Sequence, residues 1–246
     1  MRTLAARRRW WTCIAADVLV MAVLACPAAA QDPVAPIDPV EGDRPDVTNG
    51  THIVDTGLLQ AELGVQRTWQ GAHRNLGTPL TVRVGVLEWL EVRFGSDGFL
   101  RQRDDGGTTS GAGNVQLGAK VRLFANPGGI PVLSVLPTIN LPTASVSKGL
   151  GSGDIDSTLL VLTGTDLGRH SHIDANYGIG AIGAGQGQPH FAQHLMSVSV
   201  SHSLTEQTSP YLEGYWFSRQ DPDGGRVASI DGGLIHAVTE IGRAHV

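Results

Sequence analysis

The chain is short of cysteine, of long hydrophobic runs and of positive charge. Cysteine occurs only as Cys13 and Cys26, so nothing beyond residue 26 can form a disulfide framework. Stability must then come from a packed core or a large hydrogen-bonded sheet. No run of about 18 apolar residues follows the N-terminal region, which excludes a membrane-spanning helix there. Setting aside residues 1–30 removes four of the 18 basic residues and one of the 23 acidic ones, leaving a formal charge of −8. So acidic a chain is a poor match for nucleic acid.

Glycine, by contrast, is abundant, with 32 residues among 246. Combined with many short alternating runs, it points to an all-β chain. The first thirty residues read as an export signal. Arg2, Arg7, Arg8 and Arg9 form a basic region, residues 14–25 are mostly apolar, and Ala28-Ala29-Ala30 offers a small-residue cleavage site. Val23-Leu24-Ala25-Cys26 is a weak lipoprotein box, so lipidation of Cys26 is the competing reading. Residues 31–56 carry several prolines and no periodicity, as a periplasmic segment or a plug would. Residues 57–239 read as the β domain. The last seven residues, 240–246, have the spelling of a translated sequencing adapter and are read as a non-native tail.

Residues 114–123 organise the β reading. Val115, Leu117, Ala119, Val121 and Leu123 alternate with Asn114, Gln116, Gly118, Lys120 and Arg122, giving a strand with one apolar and one polar face. Ten such strands are expected, at 57–69, 79–86, 90–99, 113–124, 130–141, 154–165, 172–182, 191–202, 210–217 and 226–238. The connections at 87–89, 125–129, 166–171 and 203–209 are short. Those at 70–78, 100–112, 142–153, 183–190 and 218–225 are longer and rich in Gly, Asp and polar residues. Strict alternation of short and long connections fits an up-and-down antiparallel transmembrane β-barrel better than a Greek-key sandwich. Asn126-Pro127-Gly128-Gly129 and Asp223-Gly224-Gly225 are chain-reversal signals. Leu204-Thr205-Glu206 recurs in form as Val238-Thr239-Glu240, so the chain reads as ten strands of twelve, with the C-terminal hairpin missing.

Alternation alone does not say which face meets which solvent, because it is symmetric under inversion. The loop asymmetry, the lack of cysteine and the export signal together place the aliphatic face against lipid. The charged residues then line the lumen, with Arg83, Arg93, Lys120 and Arg122 facing Glu62, Glu91, Asp154, Asp156, Asp174 and Glu213 to create a transverse field. Trp69, Trp89, Phe99, Phe124, Tyr211, Tyr215 and Trp216 lie near strand ends, as interfacial aromatics do.

Other motifs carry less. Gly178-Ile179-Gly180-Ala181-Ile182-Gly183 spells a dinucleotide loop, but it falls on an alternating strand with no helix after it. His170, His172, His190 and His194 show no readable convergence on a metal. Ser199 and His202 point to opposite faces of one strand. No catalytic residue, metal site or cofactor is expected.

Gly42-Asp43-Arg44-Pro45-Asp46, the run from Gly113 to Arg122, and Leu136-Pro137-Thr138-Ile139-Asn140-Leu141-Pro142-Thr143 occur in order. Together they resemble the bacterial outer-membrane family labelled MetA-pathway of phenol degradation, over about residues 42–239. The resemblance implies a β-barrel in the outer membrane of a Gram-negative bacterium. It implies passive uptake of small-molecule solutes, aromatic ones among the candidates. Its partners would be outer-membrane lipid and, during biogenesis, the barrel-assembly machinery. The missing closing hairpin departs from the family pattern. Two other classes stay open: an outer-membrane lipid-modifying enzyme, and a structural or surface-binding β-barrel without transport.

Overall fold

The computed structural model describes residues 42–43, 47–125, 131–185, 187–237 and 244–245, the last two by backbone only. The export-signal reading, the Asn126–Gly129 turn and the Val238-Thr239-Glu240 repeat lie outside these residues.

In chain order the strands begin with β1 (Leu58–Leu63), β2 (Gln66–Gln70), β3 (His73–Gly77), β4 (Leu80–Leu87) and β5 (Leu90–Ser96). Next come β6 (Phe99–Asp104), β7 (Gly107–Ala112), β8 (Val115–Phe124), β9 (Val132–Leu141) and β10 (Asp156–Leu167). The last five are β11 (Ser171–Ile182), β12 (Phe191–His202), β13 (Thr208–Phe217), β14 (Val227–His236) and the two-residue β15 (Ala244–His245). No α-helix occurs among the described residues. The fold is all-β, and every neighbouring pair of strands is antiparallel.

Eleven strands form one sheet in the order β14-β13-β12-β11-β10-β9-β8-β5-β4-β1-β15. Apart from β15, these are the ten strands expected from alternation, joined as a meander. Within the stretch read as a tail, β15 pairs with β1 through Leu58↔His245 and Leu59↔Ala244.

Two of the expected loops are instead strands. The stretches 70–78 and 100–112 contribute to a second sheet, β2-β3-β6-β7, which prolongs two hairpins of the main sheet. The register is unbroken within each hairpin. Leu63 pairs with Leu80 and Gln66 with Gly77, while Ser96 pairs with Val115 and Phe99 with Ala112. Gly71-Ala72 and Asp105-Gly106 close the tips as two-residue loops, and Asp-Gly is a strong hairpin dipeptide. Alternation missed these strands because both of their faces are wet, leaving no apolar side to mark a period of two.

Between the two prolonged hairpins the register slips by one residue. Leu80 faces Ser96, but Gly77 faces Leu100. The extra residue sits at Asp97-Gly98, where Gly98 has φ +67° and a Cβ would lie 1.9 Å from the Thr78 carbonyl oxygen. Only glycine fits there.

The main sheet buries its polar face. Arg83, Glu91 and Lys120 are 0% exposed, whereas Leu117 is 45%, Ile179 46% and Val198 45% exposed. This inverts the usual distribution, in which charged groups are almost never fully buried unless paired. Trp89 and Phe124 are exposed at the short-connection end, and Trp69 and Phe99 on the second sheet, beyond the opposite end.

Candidate functional site

The polar face of the main sheet is bridged by the chain segment that precedes β1. Residues 47–57 bond to strands far apart in the sheet order, so the sheet curves around them. Glu213 on β13 accepts from the Val47 amide at 3.0 Å, and from the amide and hydroxyl of Thr48. Asn176 on β11 mimics a strand neighbour for Asn49. Its Oδ1 accepts from the Asn49 amide at 2.7 Å and its Nδ2 donates to the Asn49 carbonyl at 2.9 Å. On the other side the Val54 amide donates to Glu91 Oε2 at 2.9 Å. Thr48, Thr51, Ile53 and Val54 are buried. Gly85 makes room for this packing, since a Cβ there would lie 2.1 Å from the Val54 carbonyl oxygen and 2.2 Å from that of Asp55.

Beside this segment three cations and three carboxylates form one cluster. Arg83 grips Glu91 with two prongs, Nε to Oε1 at 2.9 Å and Nη2 to Oε2 at 3.0 Å. Its Nη1 donates to Glu62 Oε1 at 3.1 Å, and Nη2 also donates to the His52 carbonyl at 3.1 Å. Arg93 donates through Nε to Glu91 Oε1 at 2.6 Å, through Nη1 to Asn49 Oδ1 at 3.0 Å, and through Nη2 to Asp43. Lys120 spends its three protons on Asp43 Oδ2 at 3.1 Å, the Gly50 carbonyl at 2.6 Å and the His52 carbonyl at 3.0 Å.

Such a cluster is balanced in charge and each of its cations is paired, which is what burial of ions requires. Only Glu62 Oε2 among its carboxylate oxygens has no partner among the described residues. Burial by itself would raise the pKa of Asp43. Lys120, Arg93 and Arg83 outweigh that and hold its carboxyl well below the usual carboxylate range. Asp43 therefore stays ionised and ties the N-terminal segment to three strands.

The structure distributes the predicted lumen residues differently from a transverse field. Glu62, Arg83, Glu91, Arg93 and Lys120 come together, but as pairs that cancel one another, with Asp43 as the third acid. Arg122 stays outside the cluster: its Nη1 reaches the Glu88 carbonyl at 3.4 Å, at the short-connection rim. Asp154 and Asp156 bind loop amides at the opposite rim, those of Gly185 and Gly183, each at 2.7 Å. Asp174 lies 3.3 Å from His172 Nε2, and Asp166 lies 2.7 Å from the other ring nitrogen. Glu213 serves the N-terminal segment. Sequence reasoning missed the Gly50 and His52 carbonyls, because a backbone acceptor leaves no signal in residue identity.

The remaining motifs fall apart in space. The Gly178–Ile182 run lies in β11, with Gly183 just past its end. His194 bonds to the Tyr177 hydroxyl at 2.9 Å and His190 to the Ile155 carbonyl at 2.8 Å. Ser199 is buried while His202 is exposed. Among the described residues no group of three or more His, Cys, Asp or Glu could hold a metal ion.

Next to the ion cluster a cleft of about 280 Å³ opens on the polar face. Asp43, Asn49, Glu62 and Arg93 form its polar side, and Leu136 and Leu160 add apolar wall. It offers hydrogen-bonding and apolar surface together, as small-molecule sites do. No curated protein matches the chain. A family match covers residues 42–241, from the Gly42-Asp43 anchor through every strand of the meander. The chain thus belongs to the family described as Putative MetA-pathway of phenol degradation.

Proposed function

We propose that this chain is an outer-membrane channel for passive uptake of small solutes, with residues 47–57 as an internal gate. The observation that carries the reading is the inversion of faces, with aliphatic side chains outside and paired ions inside. In water that exterior would expose a broad apolar surface of the kind monomeric soluble proteins avoid. In hydrocarbon it is the expected lipid face of a barrel. Outer-membrane lipid is then the surrounding partner, and the barrel-assembly machinery acts during insertion. Buried Ser134 Oγ and Ser197 Oγ have no protein partner among the described residues, which suits an interior that carries polar solutes or water. The family's description supports aromatic compounds as one solute class, and the mixed lining of the cleft suits them. No step in this reading needs a catalytic residue or a cofactor.

The anchoring of 47–57 to Glu213, Asn176 and Glu91 favours a second reading, a filled barrel that binds at its surface without transport. Planar-bilayer recording on the full-length protein separates the two. The channel reading predicts discrete conductance that rises when the segment is loosened. Inserted protein that never conducts contradicts it and leaves the filled barrel.

A further inference from the structure

Two pairs of arginines face each other across strands in this chain, and they are treated in opposite ways. Arg83 and Arg93 are direct partners on β4 and β5, and Glu91 and Asp43 lie between them. Arg74 and Arg103 are direct partners on β3 and β6, and among the described residues no carboxylate forms an ion pair with either. Like charges directly opposite on a sheet are destabilising. The second pair therefore costs stability unless an anion from outside completes it.

The surrounding face sharpens the contrast. Arg67 pairs with Leu76, Trp69 with Arg74 and Leu76 with Arg101, so period-two alternation puts all six side chains on one side of the second sheet. The next strand adds Thr108, Ser110 and Ala112, none of them charged. Asp104, the acid nearest in sequence, alternates to the other side. The four arginines are exposed, as is Trp69 at 68%. Between them lies a depression of about 250 Å³. Four guanidiniums thus gather on one small surface of an otherwise acidic chain.

We infer that this face binds the phosphates of the glycolipid in the outer leaflet. The inference rests on the membrane reading above. In that reading the second sheet grows from the long-connection end, which in such barrels faces outside. The face begins within a strand's length of the aliphatic exterior, at the level of lipid headgroups. Guanidinium forks match phosphate oxygens two at a time. Trp69 adds a flat amphipathic ring of the kind enriched at membrane–water interfaces.

The test uses full-length folded protein in detergent, titrated with fluorescent lipid A, with monophosphoryl lipid A and with inorganic phosphate. Wild type should bind lipid A at least about tenfold more tightly than the R74Q/R103Q variant, with the gap shrinking at high salt. Removing one phosphate from the lipid should weaken wild type more than the variant. Heat-modifiability on a gel checks that the variant is folded, and R74K/R103K, which keeps the charge but loses the fork, should fall between the two. Equal binding by wild type and variant overturns the inference, as does complete competition by millimolar phosphate, which would mark a free-anion site. If wild type does not insert into bilayers at all, the membrane reading fails. If it inserts but does not discriminate between the lipids, only this inference fails.

Discussion

Arg83 and Glu91 are locked in a two-pronged ion pair, Nε to Oε1 at 2.9 Å and Nη2 to Oε2 at 3.0 Å, with both side chains fully buried. Glu91 Oε1 also accepts from Arg93, and Oε2 from the Val54 amide. One carboxylate therefore separates two opposed guanidiniums and pins the N-terminal segment at the same time.

Removing that charge leaves Arg83 and Arg93 facing each other in a buried setting. Breaking a buried pair by losing one partner costs about 3–5 kcal/mol. Glu91→Gln should lower the unfolding temperature and weaken the heat-resistant folded band on a gel. An unchanged thermal midpoint would remove Glu91 from the centre of the cluster.

Asp43 carries a pH signature. Its carboxyl is held below the ordinary value of 3.8 by Lys120, Arg93 and Arg83, against the opposing effect of burial. A depressed carboxylate contributes stability above its unperturbed pKa and loses it as pH falls through the lower one. The stability gap between wild type and Asp43→Asn should be widest above about pH 5 and narrow steadily below about pH 4. Chemical unfolding of both proteins across that range measures it, and a gap that is constant with pH would contradict the assignment.

The fold was legible where one face is apolar and obscure where neither is. The alternation of residues 114–123 located β8, which begins two residues inside the expected 113–124 and ends with it, because its apolar and polar faces differ. Residues 66–69 fell inside the expected strand 57–69, but His73–Gly77 was hidden because it is polar or small on both faces apart from Leu76. The ion cluster was half legible. Arg83, Glu91, Arg93 and Lys120 follow from parity, but parity does not say how far along the strand axis a residue sits. Arg122 has the same parity as Lys120 and lies beside a register shift between Arg122 and Phe124, at the rim rather than at the cluster. Asp43 stood out only as part of a Pro-containing segment; its contacts span sequence separations that no local pattern records.

Gly85 tests how closely residues 47–57 are seated against the sheet. A methyl group there would collide with the carbonyls of Val54 and Asp55. Gly85→Ala should displace the segment without removing any ion pair. With Val54→Cys as a reporter, in a background lacking Cys13 and Cys26, a water-soluble thiol reagent should label the Gly85→Ala protein and leave the Gly85 parent protected. Equal labelling would show that the segment does not depend on this contact.

The central claim is that the aliphatic face meets hydrocarbon. Spin labels at Leu117→Cys, Ile179→Cys and Val198→Cys, in full-length protein reconstituted into vesicles, read this directly against Ser197→Cys on the polar face. The account predicts strong relaxation by oxygen and weak relaxation by a water-soluble nickel complex at the first three, with oxygen less favoured at Ser197→Cys. Nickel-dominated relaxation at Leu117, Ile179 and Val198 would contradict it.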